Sequence, residues 1–125
     1  MTTTIRVLVG LVALFFVVYG LRFALTPEPM AAEFSILAAG APGLATVRGD
    51  LGGAFLATGI FACLGLANRA RPWLYAAAIV LGTIATCRIA GFAIDGVSQR
   101  TLAPFIAELV MVAILLWGAR RLPSL

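Results

Sequence analysis

Residues 7–21 read VLVGLVALFFVVYGL and form a charge-free run between Arg6 and Arg22. With its flanking residues this run is long enough for a helix that crosses a bilayer, which takes ~20 residues. Of the 125 residues in the chain, 62% are hydrophobic and 11% are charged. A soluble domain usually carries about 25% charged residues. The composition therefore indicates a membrane protein and excludes secreted toxins, DNA-binding modules and soluble enzymes.

Three more apolar runs follow, so the spans are predicted at about 5–25, 47–67, 73–95 and 102–119. Pro27 and Pro29 interrupt the chain after the first span. Residues 30–39 then suit a short helix at the membrane interface, ended by the Gly and Pro residues of 40–43. We expect an all-α fold: one integral membrane domain, residues 1–125, built as a four-helix transmembrane bundle with a short interfacial helix between spans one and two.

Basic residues collect on one side of this predicted bundle, together with both chain termini and the loop between spans two and three. The arginines of that side have no acidic neighbour and are Arg6, Arg69, Arg71, Arg120 and Arg121. By the positive-inside rule the termini are expected in the cytoplasm. Because these arginines flank apolar runs, they mark topology and do not predict nucleic-acid binding.

Each span carries a charged residue in its half away from the basic side. Counting ~1.5 Å per helical residue, Arg22 lies ~24 Å above Arg6 and Glu108 ~18 Å above Arg120. Asp50 and Arg88 have similar heights on their own spans. Charges in a bilayer normally turn inward and pair, so we expect these four residues to converge on one polar cavity. Arg48 and Asp95 would lie just beyond it.

Several roles remain open for these residues. The candidate ligand-binding residues are Arg22, Arg48, Arg88, Asp95 and Tyr19, while Glu108 and Asp50 are candidates for a general acid or base. Arg88, Gly91 and Asp95 fall on one helical stripe. Arg48 and Asp50 are about 200° apart around a helix, so only one of them is expected to face the interior. Arg22 and Arg48 could instead snorkel to the headgroups.

The small residues and the cysteines say less about the fold and the site than the charged residues do. Gly49, Gly53 and Ala57 form a small-residue stripe that suits close helix packing, either inside the bundle or between two copies of the chain. Cys63 and Cys87 lie in apolar runs at different heights, so we expect buried packing residues and no disulfide between them. The absence of His and Lys argues against haem, zinc and Schiff-base chemistry, and no metal or cofactor is expected.

The chain resembles a family of small bacterial four-span membrane proteins of DoxX-like shape. The similar segments are Tyr19-Gly20-Leu21-Arg22, Pro27, Arg48-Gly49-Asp50-Leu51-Gly52-Gly53, Arg88-Ile89-Ala90-Gly91, Asp95-Gly96 and Glu108-Leu109. The resemblance implies a four-helix bundle in the bacterial inner membrane and implies no particular activity.

Three functions follow from the charged residues. The first is binding of a small anionic or amphipathic ligand, or a lipid headgroup, by arginines whose geometry is set by Asp50 and Glu108. The second is an intramembrane enzyme, of isomerase, hydratase or cyclase type, in which Glu108 or Asp50 acts on an apolar substrate. The third is a structural or accessory subunit whose ion pairs only fix the helix register.

Overall fold

The computed structural model describes residues 2–68 and 70–123, and within them the chain is helical and contains no β-strand. Helices α1 and α2 cover Thr2–Leu25 and Pro27–Glu33. Helix α3, Gly40–Thr46, continues through a π-helical turn, Val47–Leu51, into α4, Gly52–Ala67. Helices α5 and α6 cover Arg71–Asp95 and Gln99–Arg121.

Four continuous helical segments are long and apolar enough to cross a membrane: Thr2–Leu25, Gly40–Ala67, Arg71–Asp95 and Gln99–Arg121. The predicted all-α bundle of four spans is therefore confirmed. Each helical segment extends past its predicted span at one end or both, because the residues that flank the predicted span continue the helix. These segments are compatible with a multi-pass integral membrane protein.

The four long helices form an antiparallel ring. Helix α1 packs most extensively on α4, α4 packs on α5, and α5 packs on α6, while the contact that closes the ring between α6 and α1 is smaller. We call the end where α1 and α5 begin and α6 finishes the basic end, and the opposite end the distal end.

Glycines bring α1 and α4 into close contact. A Cβ atom on Gly59 would lie 2.9 Å from the backbone nitrogen of Val17, and one on Gly20 would lie 2.8 Å from that of Leu56. Neither site leaves room for a side chain, so the two helices pack backbone to backbone, as small residues permit in membrane helices.

The predicted stripe of Gly49, Gly53 and Ala57 is not the face that α4 uses in this contact. A Cβ atom on Gly49 or Gly53 would meet nothing within 4 Å, whereas one on Gly52 would meet α1. The expectation that this stripe packs inside the bundle is therefore wrong for its two glycines. Self-association through Gly49, Gly53 and Ala57 stays a prediction.

The short interfacial helix is present, but it occupies Pro27–Glu33 and not residues 30–39. Pro27 begins α2, where a missing backbone N–H costs nothing because first-turn donors have no partner within the helix. Ser35 then ends this segment with φ of 58°, and Gly40 begins α3 with φ of 61°. The glycine and proline of residues 40–43 thus start a helix where they were expected to end one.

The interior of the bundle is unevenly packed along its length. At the basic half, all four long helices contribute to one apolar core that includes Ile5, Val9, Leu74, Leu81 and Leu115. At the distal half, a second core joins α1, α2 and the π-helical turn. The distal halves of α5 and α6 add no apolar residue to either buried core: between residues 86 and 107 no side chain is buried.

Both cysteines lie on the outer surface of the bundle, Cys63 on α4 and Cys87 on α5. The expectation that they are buried packing residues is wrong, because the outward face of a membrane helix is as apolar as its inward face and the run alone does not distinguish them. They are free thiols, as expected from their difference in height.

Candidate functional site

The central feature of the distal half is an ion pair between α5 and α6. On α5 the buried stripe formed by Leu74, Leu81 and Ala85 continues one turn further to Arg88. On α6 the buried stripe that contains Leu115 begins seven residues earlier, at Glu108. Both charged residues thus occupy positions that the helical repeat turns toward the neighbouring helix.

The pair has an unusual hydrogen-bond geometry. The Nε–H of Arg88 donates to both carboxylate oxygens of Glu108, with Nε–Oε1 and Nε–Oε2 distances of 2.9 Å. The Glu108 side chain is 10% exposed and the Arg88 side chain 32% exposed. The protein therefore shields the Glu108 carboxylate from the exterior, while part of the Arg88 side chain remains accessible.

Apolar groups lie on both sides of this ion pair. Toward the basic end, α5 and α6 continue with buried Ala85 and Leu115. Toward the distal end, the rings of Phe92 and Phe105 meet edge to face with centroids 5.1 Å apart. Such surroundings strengthen the electrostatic attraction within the pair because the local dielectric is low.

A cavity of about 140 Å³ lies beside Arg88, between the distal ends of α5 and α6. Its lining residues are Arg88, Gly91, Phe92, Asp95, Gly96 and Thr101. Gly91 contributes open space, since a Cβ atom there would meet nothing within 4 Å. Glu108 is not among the lining residues, so the cavity presents the arginine and not its buried partner.

The connection between the two helices fixes the rim of this cavity. Gly96 has φ of 87°, a conformation that favours glycine, and it ends α5 directly after Asp95. The backbone N–H of Ser98 donates to Thr101 Oγ1, and that hydroxyl donates to the Ser98 carbonyl. These two hydrogen bonds cap the start of α6.

Within the described residues, Arg88 uses only its Nε in hydrogen bonds to protein groups. Its two terminal nitrogens carry four N–H donors and make no further hydrogen bond to the part of the chain that the structure describes. No buried side-chain nitrogen or oxygen lacks a partner there, so these terminal nitrogens are accessible from outside the protein. They are free to bind a group that enters the cavity.

Arg22 occupies a different site. Its Nη2 donates to Glu33 Oε2 at 3.0 Å, and its guanidinium carbon lies 5.3 Å from the centre of the Tyr19 ring. Both side chains of the ion pair are nearly half exposed. Arg22 therefore connects α1 to α2 and does not approach Glu108.

The remaining candidates are also spread over the surface. Arg48 and Asp50 both lie in the π-helical turn and both are exposed, so neither faces the bundle interior. Tyr19 packs between Phe15 and Phe34 at half-buried depth. The structure does not bring the charges of all four spans to one shared cavity. Arg22 and Arg88 form separate ion pairs, and the cavity described above adjoins the Arg88 pair.

Sequence reasoning missed two participants. The sequence does not indicate Thr101 as a lining residue, although a hydroxyl three residues after Ser98 is a typical helix-start pattern. The sequence also does not indicate Glu33 as the partner of Arg22, because that pairing depends on the turn at Pro27. By contrast, the stripe of Arg88, Gly91 and Asp95 does line one cavity.

Comparisons of this chain with protein-family models, with curated proteins and with solved structures find no match.

Proposed function

We propose that this chain is a bacterial inner-membrane protein that holds a small anionic or amphipathic ligand at Arg88, in the cavity between α5 and α6. The observation that carries the proposal is that the nitrogens of one guanidinium group have different partners. Nε is committed to buried Glu108, and the terminal nitrogens are directed to no other described protein group. Glu108 acts as the residue that orients Arg88.

The chemistry of the lining favours an anion with an apolar part. Arg88 supplies N–H donors in the planar fork that suits a carboxylate or phosphate. Phe92 supplies an apolar wall, and Gly91 leaves open space beside it. Asp95 stands at the exposed rim, where it would select against a bare, highly charged anion and accept a hydrogen bond from a hydroxyl or amine of the ligand.

The surface around the cavity also suits an amphipathic molecule. Ile89 and Ile94 on α5, and Leu102 and Ile106 on α6, are exposed large apolar side chains. In a bilayer they would face acyl chains, so the apolar part of a ligand can extend into the membrane beside them.

The enzyme hypothesis has less support from this geometry. Both Glu108 oxygens already accept from Arg88, and Glu108 does not line the cavity. Asp50, the other candidate acid or base, lies exposed on the π-helical turn, which packs on α1, α2, α3 and α4, whereas Glu108 is on α6. A substrate in this cavity would touch an arginine and not the buried carboxylate.

A pair of glycines on α5 offers a matched test. Gly91 lines the cavity and Gly82 does not, and a Cβ atom would meet nothing within 4 Å at either site. Gly91→Leu should fill the cavity without a clash, and Gly82→Leu should leave it open. Both changes also favour the helix, since glycine is a poor helix former.

The measurement is native mass spectrometry of protein purified in mild detergent. We expect wild type and Gly82→Leu to retain an anionic small molecule that Gly91→Leu and Arg88→Gln have lost. A wild-type protein without any bound molecule, or a Gly91→Leu protein that retains it equally, would favour the structural-subunit hypothesis.

The proposed topology places both termini and the loop between α4 and α5 in the cytoplasm, because the arginines flanking the basic end have no acidic neighbours in the sequence. The DoxX-like resemblance implies a four-helix bundle in the bacterial inner membrane. A periplasm-active reporter fused after Leu125 should be inactive, and the same reporter inserted after Gly96 should be active. The opposite pattern would move the Arg88 cavity to the cytoplasmic half of the membrane.

A further inference from the structure

The basic end carries a group of arginines that the proposed ligand site does not use. Arg71 begins α5 and Arg121 ends α6, and both side chains are exposed. Arg120 is exposed beside them. None of the three takes part in an ion pair within the residues that the structure describes.

A contact between α5 and α6 fixes the relative height of these arginines. A Cβ atom on Gly118 would lie 3.6 Å from Leu74 Cδ1, so the two helices touch there. Arg71 comes three residues before Leu74, and Arg121 three residues after Gly118. Each is therefore about 4.5 Å nearer the basic end than this contact, on neighbouring helices.

Two positive charges at one height repel each other unless an anion lies near both. The sequence supplies no acid at this end: the five acidic residues are Glu28, Glu33, Asp50, Asp95 and Glu108, and all lie toward the distal half. An anion that lies near both Arg71 and Arg121 would therefore come from outside the bundle.

The aromatic residues of the same end indicate where that anion lies. The chain has two tryptophans, Trp73 and Trp117, with exposed fractions of 38% and 37%. Each is within about one helical turn of Arg71 or Arg121. The Trp73 ring stacks on the ring of Phe61 on α4, with ring centroids 5.6 Å apart. Half-exposed indoles beside arginines are typical of the level of lipid headgroups.

We infer that the basic ends of α5 and α6 bind the headgroup of an anionic phospholipid, with Arg71 and Arg121 on its phosphate and Trp117 against its glycerol and upper acyl chains. Trp73, which stacks on Phe61, lies at the same level on the side of α4. Basic sites between membrane helices recognise anionic lipids through this combination of charges. The site is independent of the Arg88 cavity, which lies at the other end of the same two helices.

Both tryptophans lie at the level of the inferred site, so their fluorescence reports the lipids that surround it. The protein is reconstituted in phosphatidylcholine vesicles that contain a minor fraction of a brominated quencher lipid, either phosphatidylglycerol or phosphatidylcholine. We expect phosphatidylglycerol to be enriched beside the tryptophans about thirtyfold, the ratio that two arginines near a membrane surface produce together.

Single substitutions test the arginines with a matched charge control. Arg71→Gln and Arg121→Gln should each lower the preference for phosphatidylglycerol several-fold. Arg100→Gln removes the same charge from the exposed start of α6, at the distal end, and should keep the wild-type preference. Equal losses in Arg121→Gln and Arg100→Gln would mean that net charge alone attracts the lipid and would overturn the inference.

Wild-type protein gives a test that does not depend on a variant. Raising the salt to ~1 M, where the Debye length is about 3 Å, should reduce the preference. Inorganic phosphate at constant ionic strength should not reduce it, because the inferred ligand is a lipid with acyl chains beside the indoles. Equal quenching by the two brominated lipids, or displacement by inorganic phosphate, would refute the site.

Discussion

The Arg22–Glu33 and Arg88–Glu108 pairs each join two helices near the distal end, with nitrogen–oxygen distances of 3.0 and 2.9 Å. In the first pair both side chains are nearly half exposed, and in the second the carboxylate is 10% exposed. The helices they join also differ. Helix α2 rests on a buried apolar core, whereas the distal parts of α5 and α6 bury only Glu108 between residues 86 and 114.

The two ion pairs have the same chemistry but different effects on the helices that they join. Where apolar packing already holds the helices together, as at α1 and α2, an exposed ion pair contributes little. Where apolar burial is missing, as at α5 and α6, a buried pair sets the relative position of two helices and leaves a guanidinium edge at a cavity. We therefore expect the second pair to matter for both stability and binding.

The largest effect should come from Glu108. Glu108→Gln removes the charge that balances Arg88, and we expect a loss of about 3 kcal/mol in the free energy of unfolding. This is the lower end of the range for broken buried pairs, because a third of the Arg88 side chain stays accessible. Unfolding in detergent, titrated with sodium dodecyl sulfate and followed by circular dichroism, measures it.

A second substitution at the partner gives the control. Arg88→Gln in the Glu108→Gln background should recover part of the lost stability, because no unbalanced charge then remains. If the two effects add within about 0.5 kcal/mol, the residues are not coupled and the pair does not set the position of α5 against α6.

A substitution at Met30 should give the intermediate effect, since this residue of α2 is fully buried. Met30→Ala leaves a cavity in the small distal core, and we expect α2 to lose about 2 kcal/mol of local stability, at the low end of the range for such substitutions. Amide hydrogen exchange of residues 28–34 measures this loss. Exchange equal to that of wild type would show that packing does not hold α2 in place.

Arg22 should give the smallest effect. Arg22→Gln breaks an exposed ion pair and a contact with the Tyr19 ring, and we expect a loss of about 0.5 kcal/mol that shrinks as salt is added. The same exchange measurement on α2 detects it. A loss as large as that of Met30→Ala would show that the exposed Arg22–Glu33 pair contributes as much to stability as a buried side chain.

The fold was largely predictable, because charge-free runs of span length have few alternatives in a chain this apolar. The burial of Glu108 was also predictable, since an acid inside such a run must turn toward the protein or face lipid. The partner of each charge was not. Arg22 and Arg88 stand at nearly equal predicted heights, and only the turn at Pro27, which brings Glu33 back to Arg22, distinguishes them.

The glycines illustrate a second limit. Gly49 and Gly53 have the spacing of a packing motif, yet Gly52 and Gly59 make the contact with α1. Two interleaved sets of small residues lie on different faces of one helix. Hydrophobicity does not show which face packs on the neighbouring helix, because lipid is as apolar as that helix. The π-helical turn adds to the ambiguity because it changes the register upstream of Gly52.

That π-helical turn, Val47–Leu51, has a consequence for how the chain tolerates changes in length. A π-helical turn accommodates more residues than an α-helical turn, so it behaves as an insertion within a continuous helix. Deleting one residue there would let α3 and α4 merge into a regular helix with little change in the directions that the earlier residues face, because the π-helical turn already absorbs the extra residue. The segment Gly40–Thr46 would then keep its orientation, and Gly52 and Gly59 would stay in contact with α1. A one-residue deletion at this turn should thus be tolerated better than one within α4, where it would turn everything before it by about 100°.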